Sequence, residues 1–238
     1  MRPPTLISNR GFTLIELLIV IAIIGTLGTL TVVSFRAAMT SSRQATSMGN
    51  LKTIGIALHL YATDHQGQFP ETSHSTNLDV AWVYALEKYL GDFDNNRVCP
   101  ADPKRKERLE ARGTSYILNS YLFVPETDPF GEPLGPALNR PSAIPDPANT
   151  LMAFICADAA NTGPGNDHTH SNRWQSWNAV CRDISPNRFG GHPRDFTRGR
   201  SNYLYADGRV ESIRAAELKS KIDAGKNVAI PPGIPHLQ

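Results

Sequence analysis

The chain has 238 residues, with 24 basic side chains against 22 acidic ones. That length allows one helical anchor and one modest globular domain. Arg2 and Arg10 account for the whole basic excess, so the remainder is formally neutral and carries no electrostatic footprint for nucleic acid.

The first eleven residues form a short basic leader, and from Phe12 to Val33 the chain is dominated by Leu, Ile and Val. That run is close to the ~20 residues needed to span a bilayer. Glu16 sits in its first turn, where a lipid-facing acid costs about 2.5 kcal/mol or more. A cleaved secretory signal would end such a run near Ala37-Ala38, and a simple uncleaved anchor would end it at the membrane surface. Instead, apolar and small residues continue at helical spacing through Ala45, Met48, Leu51, Ile54, Ala57, Leu58 and Tyr61, with no proline before Pro70. The spacing predicts one helix of roughly 50 residues, about 80 Å long. Gly25 and Gly28 allow close helix approach in its apolar half.

The leader, the Gly11-Phe12 junction, Glu16 and the apolar run resemble the processing signal of type IV pilins and type II secretion pseudopilins. The resemblance implies that a prepilin peptidase cuts after Gly11, that Phe12 becomes a methylated N-terminus, and that Glu16 pairs with the Phe12 amine of a neighbouring subunit. An unpaired carboxylate in lipid is costly, so a single chain with no partner for Glu16 is expected to be driven toward assembly. The resemblance also implies a single pass through the inner membrane, an extracytoplasmic globular part, and other pilin-like subunits and an inner-membrane assembly platform as partners. The expected division is 1–11 leader, 12–34 membrane half of the helix, 35–66 its periplasmic half and 67–238 globular domain.

Beyond the helix, Asp64-His65-Gln66-Gly67-Gln68-Phe69-Pro70 carries stop signals and looks like the helix exit of major pseudopilins. A second helix is expected over Leu78–Leu90, ended by Gly91, and a helical turn within the charged stretch Lys104–Arg112. The interleaved charges downstream read as solvated surface. Ser115–Val124 and Thr150–Ala157 read as strands, Pro125–Pro147 as a long irregular loop, and Asp158–Asn187 as mostly loop. Asn202–Ala206 and Arg209–Ile213 flank Asp207-Gly208, which predicts a hairpin closed by a type I′ turn with both central residues at positive φ. One face of that hairpin, either Tyr203 and Tyr205 or Asn202, Leu204 and Ala206, must cover the long helix. A short helix follows at about Ala215–Ile222. The fold expected is α+β and pilin-like: a long N-terminal helix, membrane-spanning in its first half, packed on a small antiparallel sheet. The hairpin resembles the closing motif of a prepilin-like group in which a His precedes Asp-Gly; here His192 stands farther from Asp207 than that group's usual spacing.

Three constellations hint at ligands. His168 and His170 alternate on one segment beside Asp167, so both imidazoles suit one divalent ion if His192, Asp195 or Asp158 supplies a third ligand; a polar loop with surface histidines is the competing reading. Asp92, Asp94, Asn95 and Asn96 form an oxygen-rich cluster of the kind calcium uses, and major pseudopilins order a loop with calcium; the competing reading is a solvated turn. Cys156 and Cys181 are the favoured disulfide among Cys99, Cys156 and Cys181 in a compartment that permits one. No nucleophile elbow, Walker loop, dinucleotide fingerprint or HExxH motif is present, and a structural subunit, not an enzyme, is expected. The alternative is a membrane-anchored extracytoplasmic metal-binding protein or enzyme using the pilin export signal.

Overall fold

A computed structural model describes residues 12–73, 81–124, 130, 137–192 and 194–234, the Val33 side chain excepted. The expected leader, the start of the second helix at 78–80 and most of the 125–136 loop lie outside the described residues. The chain divides into two units, Met1–Met39 and Thr40–Gln238.

Helix α1 runs Leu14–Asp64, 51 residues, as the uninterrupted periodicity predicts. In the first unit its large apolar side chains are exposed, from Leu14 at 82% to Leu30 at 66%. Its hydroxyls turn inward: Thr26 donates to the Ile23 carbonyl, Thr29 to Thr26 and Thr31 to Leu27, at 2.8–2.9 Å. A helix that must sit in lipid satisfies its polar groups within itself in this way. This is one helix apolar enough to span a membrane, as a single-pass anchor requires. At its far end Gln66 and Gly67 both take positive φ (55° and 77°), and the Gly67 N–H donates to the Ala62 carbonyl at 2.8 Å. Gln66, one residue before the expected Gly67, is thus the left-handed residue of a Schellman-type stop.

In the second unit the expected second helix is two single turns, α2 (Trp82–Ala85) and α3 (Glu87–Leu90). Helices α4 (Phe93–Arg97) and α5 (Arg105–Glu110) follow, the latter within the anticipated charged stretch. Strand β1 is only Tyr116–Leu118, because Asn119 ends it and opens helix α6 (Ser120–Phe123). The Asn119 amide donates to the carbonyls of Leu151 and Ala229, and its oxygen accepts from the Tyr121 N–H, so one side chain both pins and caps. Strand β2 (Leu151–Ile155) falls within the predicted apolar run. Helix α7 (Trp177–Asp183) lies inside the stretch read as loop. Strands β3 (Arg200–Tyr205) and β4 (Val210–Arg214) form the hairpin, and α8 (Ala215–Asp223) follows.

The sheet is antiparallel in the order β1-β2-β3-β4 and is covered on both faces. On one face Tyr116, Leu118, Met152, Ile155 and Leu204 pack with Leu51, Ile54 and Leu58 of α1 and with Trp82. On the other, Ile117, Phe154, Tyr203 and Ile213 pack with Trp174, Val180, Leu218 and Ile222. The Leu204–Ala206 face is therefore the one that meets α1. Gly55 makes the approach close: a Cβ there would stand 2.9 Å from a Leu204 methyl. The hairpin tip is tied to α1 by Lys52 Nζ, which donates to the Gly208 carbonyl at 2.7 Å.

Two expectations fail. Only Gly208 of the turn pair takes positive φ (80°); Asp207 does not. The Gly208 N–H donates to the Tyr205 carbonyl and the Tyr205 N–H to the Arg209 carbonyl, at 2.9 and 2.8 Å. That pattern is a three-residue turn closed by a left-handed glycine, not a two-residue type I′ turn. The Asp207 carboxylate accepts the Arg209 N–H at 2.9 Å, which stabilises the turn without a positive φ at Asp207. The charged residues are likewise not all solvated. Arg108 and Asp102 pair at 2.7 Å with both side chains fully buried. Ser115 and the Lys104 N–H complete the Asp102 carboxylate, and Arg108 donates to the Asn161 carbonyl. Arg188 reaches the Cys156 carbonyl at 2.9 Å and pairs with Asp158 at 2.6 Å.

Candidate functional site

The N-terminus of α1 is built by four residues, Thr13-Leu14-Ile15-Glu16. Glu16 Oε2 accepts from the Thr13 N–H at 2.8 Å and from the Thr13 hydroxyl at 2.7 Å. The Thr13 oxygen in turn accepts from the Glu16 N–H at 3.3 Å. This is a reciprocal capping box, with Thr13 as N-cap and Glu16 in the third helical position. Two donors that the helix start would leave orphaned are satisfied, and the carboxylate sits at the positive end of the helix dipole. A single chain therefore does not leave Glu16 without a partner, and the expectation of an unsatisfied acid is corrected. The Thr-x-x-Glu spacing carried that signal in the sequence. Gly11 lies outside the described residues; Phe12 is exposed at the start of the apolar stretch.

The other sequence candidates are placed separately. Asp92 caps α4, its oxygens accepting from the Asn95 N–H at 3.4 Å and the Asn95 amide at 2.7 Å. Asp94 turns to Arg97, whose Nε and Nη2 donate to one of its oxygens at 2.9 and 2.6 Å. Both carboxylates accept from nitrogen donors within α4. His168 is buried and its Nδ1 lies 2.7 Å from Asp167, which also accepts from the Ser73 N–H and hydroxyl. His170 is half exposed, its ring centroid 5.3 Å from that of His168. His192 is exposed and bridges locally to Asp195. Among the described residues no group of three or more His, Cys, Asp or Glu side chains is placed to hold a metal ion.

The three cysteines are free thiols. Cys156 directly follows β2 with no exposure and Cys181 lies within α7, in a stretch whose sequence predicts mostly loop. The Cys156–Cys181 bridge is not formed. Burial pushes both thiols up to about 12, so neither is a ready nucleophile at neutral pH.

Residues 7–32 match the prokaryotic N-terminal methylation motif, the signal of type IV pilin and pseudopilin precursors. No curated protein and no solved structure matches the chain. Signal and fold, a long N-terminal helix on a small four-stranded antiparallel sheet, fit a pilin-like protein.

Proposed function

We propose that this pilin-like precursor is a structural, non-enzymatic subunit of a type II secretion or related pilus-like filament. A prepilin peptidase removes residues 1–11 by cutting between Gly11 and Phe12, and the Phe12 amine is methylated. Residues 12–34 then hold the subunit in the inner membrane, with the globular domain on the extracytoplasmic side. Neighbouring subunits assemble through their N-terminal helices, on an inner-membrane platform.

The observation that carries this reading is the position of Glu16: an acid in the third helical position of an exposed apolar helix, four residues from Phe12. In a single chain its carboxylate is occupied by Thr13, and these are local bonds that a neighbour's cationic amine can replace with a stronger, charge-assisted pair. Assembly is then an exchange of partners, not the rescue of an isolated charge. Glu16→Val removes the acceptor while leaving the apolar run intact. The wild-type chain should give intersubunit crosslinks in native membranes, and the variant should remain in the membrane fraction and lose them. Crosslinks at wild-type level in Glu16→Val would overturn the role assigned to Glu16.

A further inference from the structure

On the sheet face opposite α1, the Ser171–Arg173 turn and α7 enclose a pocket of about 200 Å³ lined by His170, Arg173, Trp174, Ala179, Arg182 and Asp183. Among the described residues Asp183 is the only acid lining the pocket, and it is spent on the protein. Its Oδ2 accepts from the His170 N–H at 2.6 Å and from the Trp174 indole N–H at 2.8 Å, and its Oδ1 lies 3.5 Å from His170 Nδ1. Arg173 and Arg182 are exposed, and among the described residues neither is in an ion pair. Arg173 and Arg182 thus both line a concavity in which, among the described residues, the one carboxylate is already occupied.

The walls are fixed before any ligand arrives. Trp174 is 3% exposed and packs edge-on against Phe154 at 5.2 Å between ring centroids. Ser176 caps α7 by accepting the Ala179 N–H, and the Asn227 amide donates to the Ser171 carbonyl at 2.7 Å. The Trp174 wall therefore loses little freedom on binding, and the entropic cost falls on ordering the two exposed arginines. Its volume is below that of ordinary cofactor pockets, so it suits one acidic group and a few further atoms.

We propose that this pocket binds the oxyanion of a small acidic ligand, a phosphate, sulfate or carboxylate group, held by the Arg173 and Arg182 guanidiniums over the Trp174 wall. Guanidinium forks match the geometry of such oxygens and remain charged at every accessible pH. Because both arginines are open to water, binding is weak and screened by salt.

The test uses the full chain in neutral detergent micelles with ¹⁵N-labelled tryptophan. The Trp174 indole N–H reports on the pocket, and the Trp82 indole, which donates to the Asp167 carbonyl, serves as internal control. Inorganic phosphate, sulfate and galacturonate are titrated separately, with glucose as the uncharged comparison. A saturable shift of Trp174 is expected with at least one oxyanion and none with glucose. Strongest response to phosphate or sulfate assigns a tetrahedral anion, and strongest response to galacturonate assigns a carboxylate; either supports the site. Arg173→Gln and Arg182→Gln should each raise the Kd about tenfold, and the double variant should show no saturation, with the Trp82 resonance unmoved. Arg214→Gln, exposed at the end of β4, should bind as wild type. Absence of a saturable Trp174 shift with all three anions, or a double variant that titrates like wild type, overturns the proposal.

Discussion

Residues 12–39 and residues 40–234 solve the same problem in opposite ways. In the first region Leu, Ile and Val face outward, and the hydroxyls of Thr26, Thr29 and Thr31 are folded back onto the helix's own carbonyls. In the second, apolar side chains are buried on both faces of the sheet, and charges are taken inside with them. The contrast teaches that burial here is supplied by two different solvents. A region that keeps its polar groups satisfied internally and its apolar groups exposed is suited to lipid, whereas the globular unit must build its own interior.

The comparison breaks most severely at Asp102. Asp102→Ala leaves the fully buried Arg108 guanidinium without its carboxylate and should cost the globular unit about 3–5 kcal/mol, read by chemical denaturation with tryptophan fluorescence. The same pair gives a pH signature. Burial pulls the Asp102 carboxyl upward, but Ser115, Arg108, the Lys104 N–H and Arg188 outweigh it and hold the pKa below the ordinary value. A carboxylate depressed in the folded state stabilises above its ordinary pKa, near 4. That contribution is lost as pH falls through the folded value. Wild type should therefore lose stability below about pH 4, and Asp102→Ala should lack that part of the acid sensitivity.

The hairpin gives a smaller effect. Gly208→Val forces a β-branched residue to φ of 80° and should cost more than about 1 kcal/mol. Asp207→Val should cost less, since Asp207 needs no positive φ and loses its bond to the Arg209 N–H and a 3.9 Å, solvent-open ion pair with the Arg209 guanidinium. Equal costs at the two positions would restore a type I′ turn.

How much of this was legible follows from what each residue does. The length of α1, the β3–β4 hairpin and the apolar strand β2 rest on periodicity and turn residues, which are local properties. The end of β1 was not legible, because Asn119 acts through carbonyls of Leu151 and Ala229, far along the chain. Helix α7 was missed because seven residues are too short to display a helical period; Ser176 as N-cap was the available sign. Buried Arg108 and Asp102 looked like any surface pair, since only the fold reveals that the chain closes over them. At the candidate site, Glu16 was found from its cost in lipid, but its bonds to Thr13 were overlooked although the Thr-x-x-Glu spacing announces them.

The smallest effect falls on the first region. Thr13→Val deletes the hydroxyl that caps the helix and donates to Glu16. Amide exchange over residues 14–17 in micelles should quicken several-fold, while denaturation of the globular unit stays at the wild-type midpoint. A shift in that midpoint would contradict the separation of the two regions.

The central claim, that this chain is a pilin-like precursor matured at its N-terminus, is tested most directly by the intact mass and N-terminal peptide of the protein from native membranes. The account predicts a chain that begins at Phe12 with a methylated amine. A chain that retains residues 1–11, or one cut near Ala38, would contradict it.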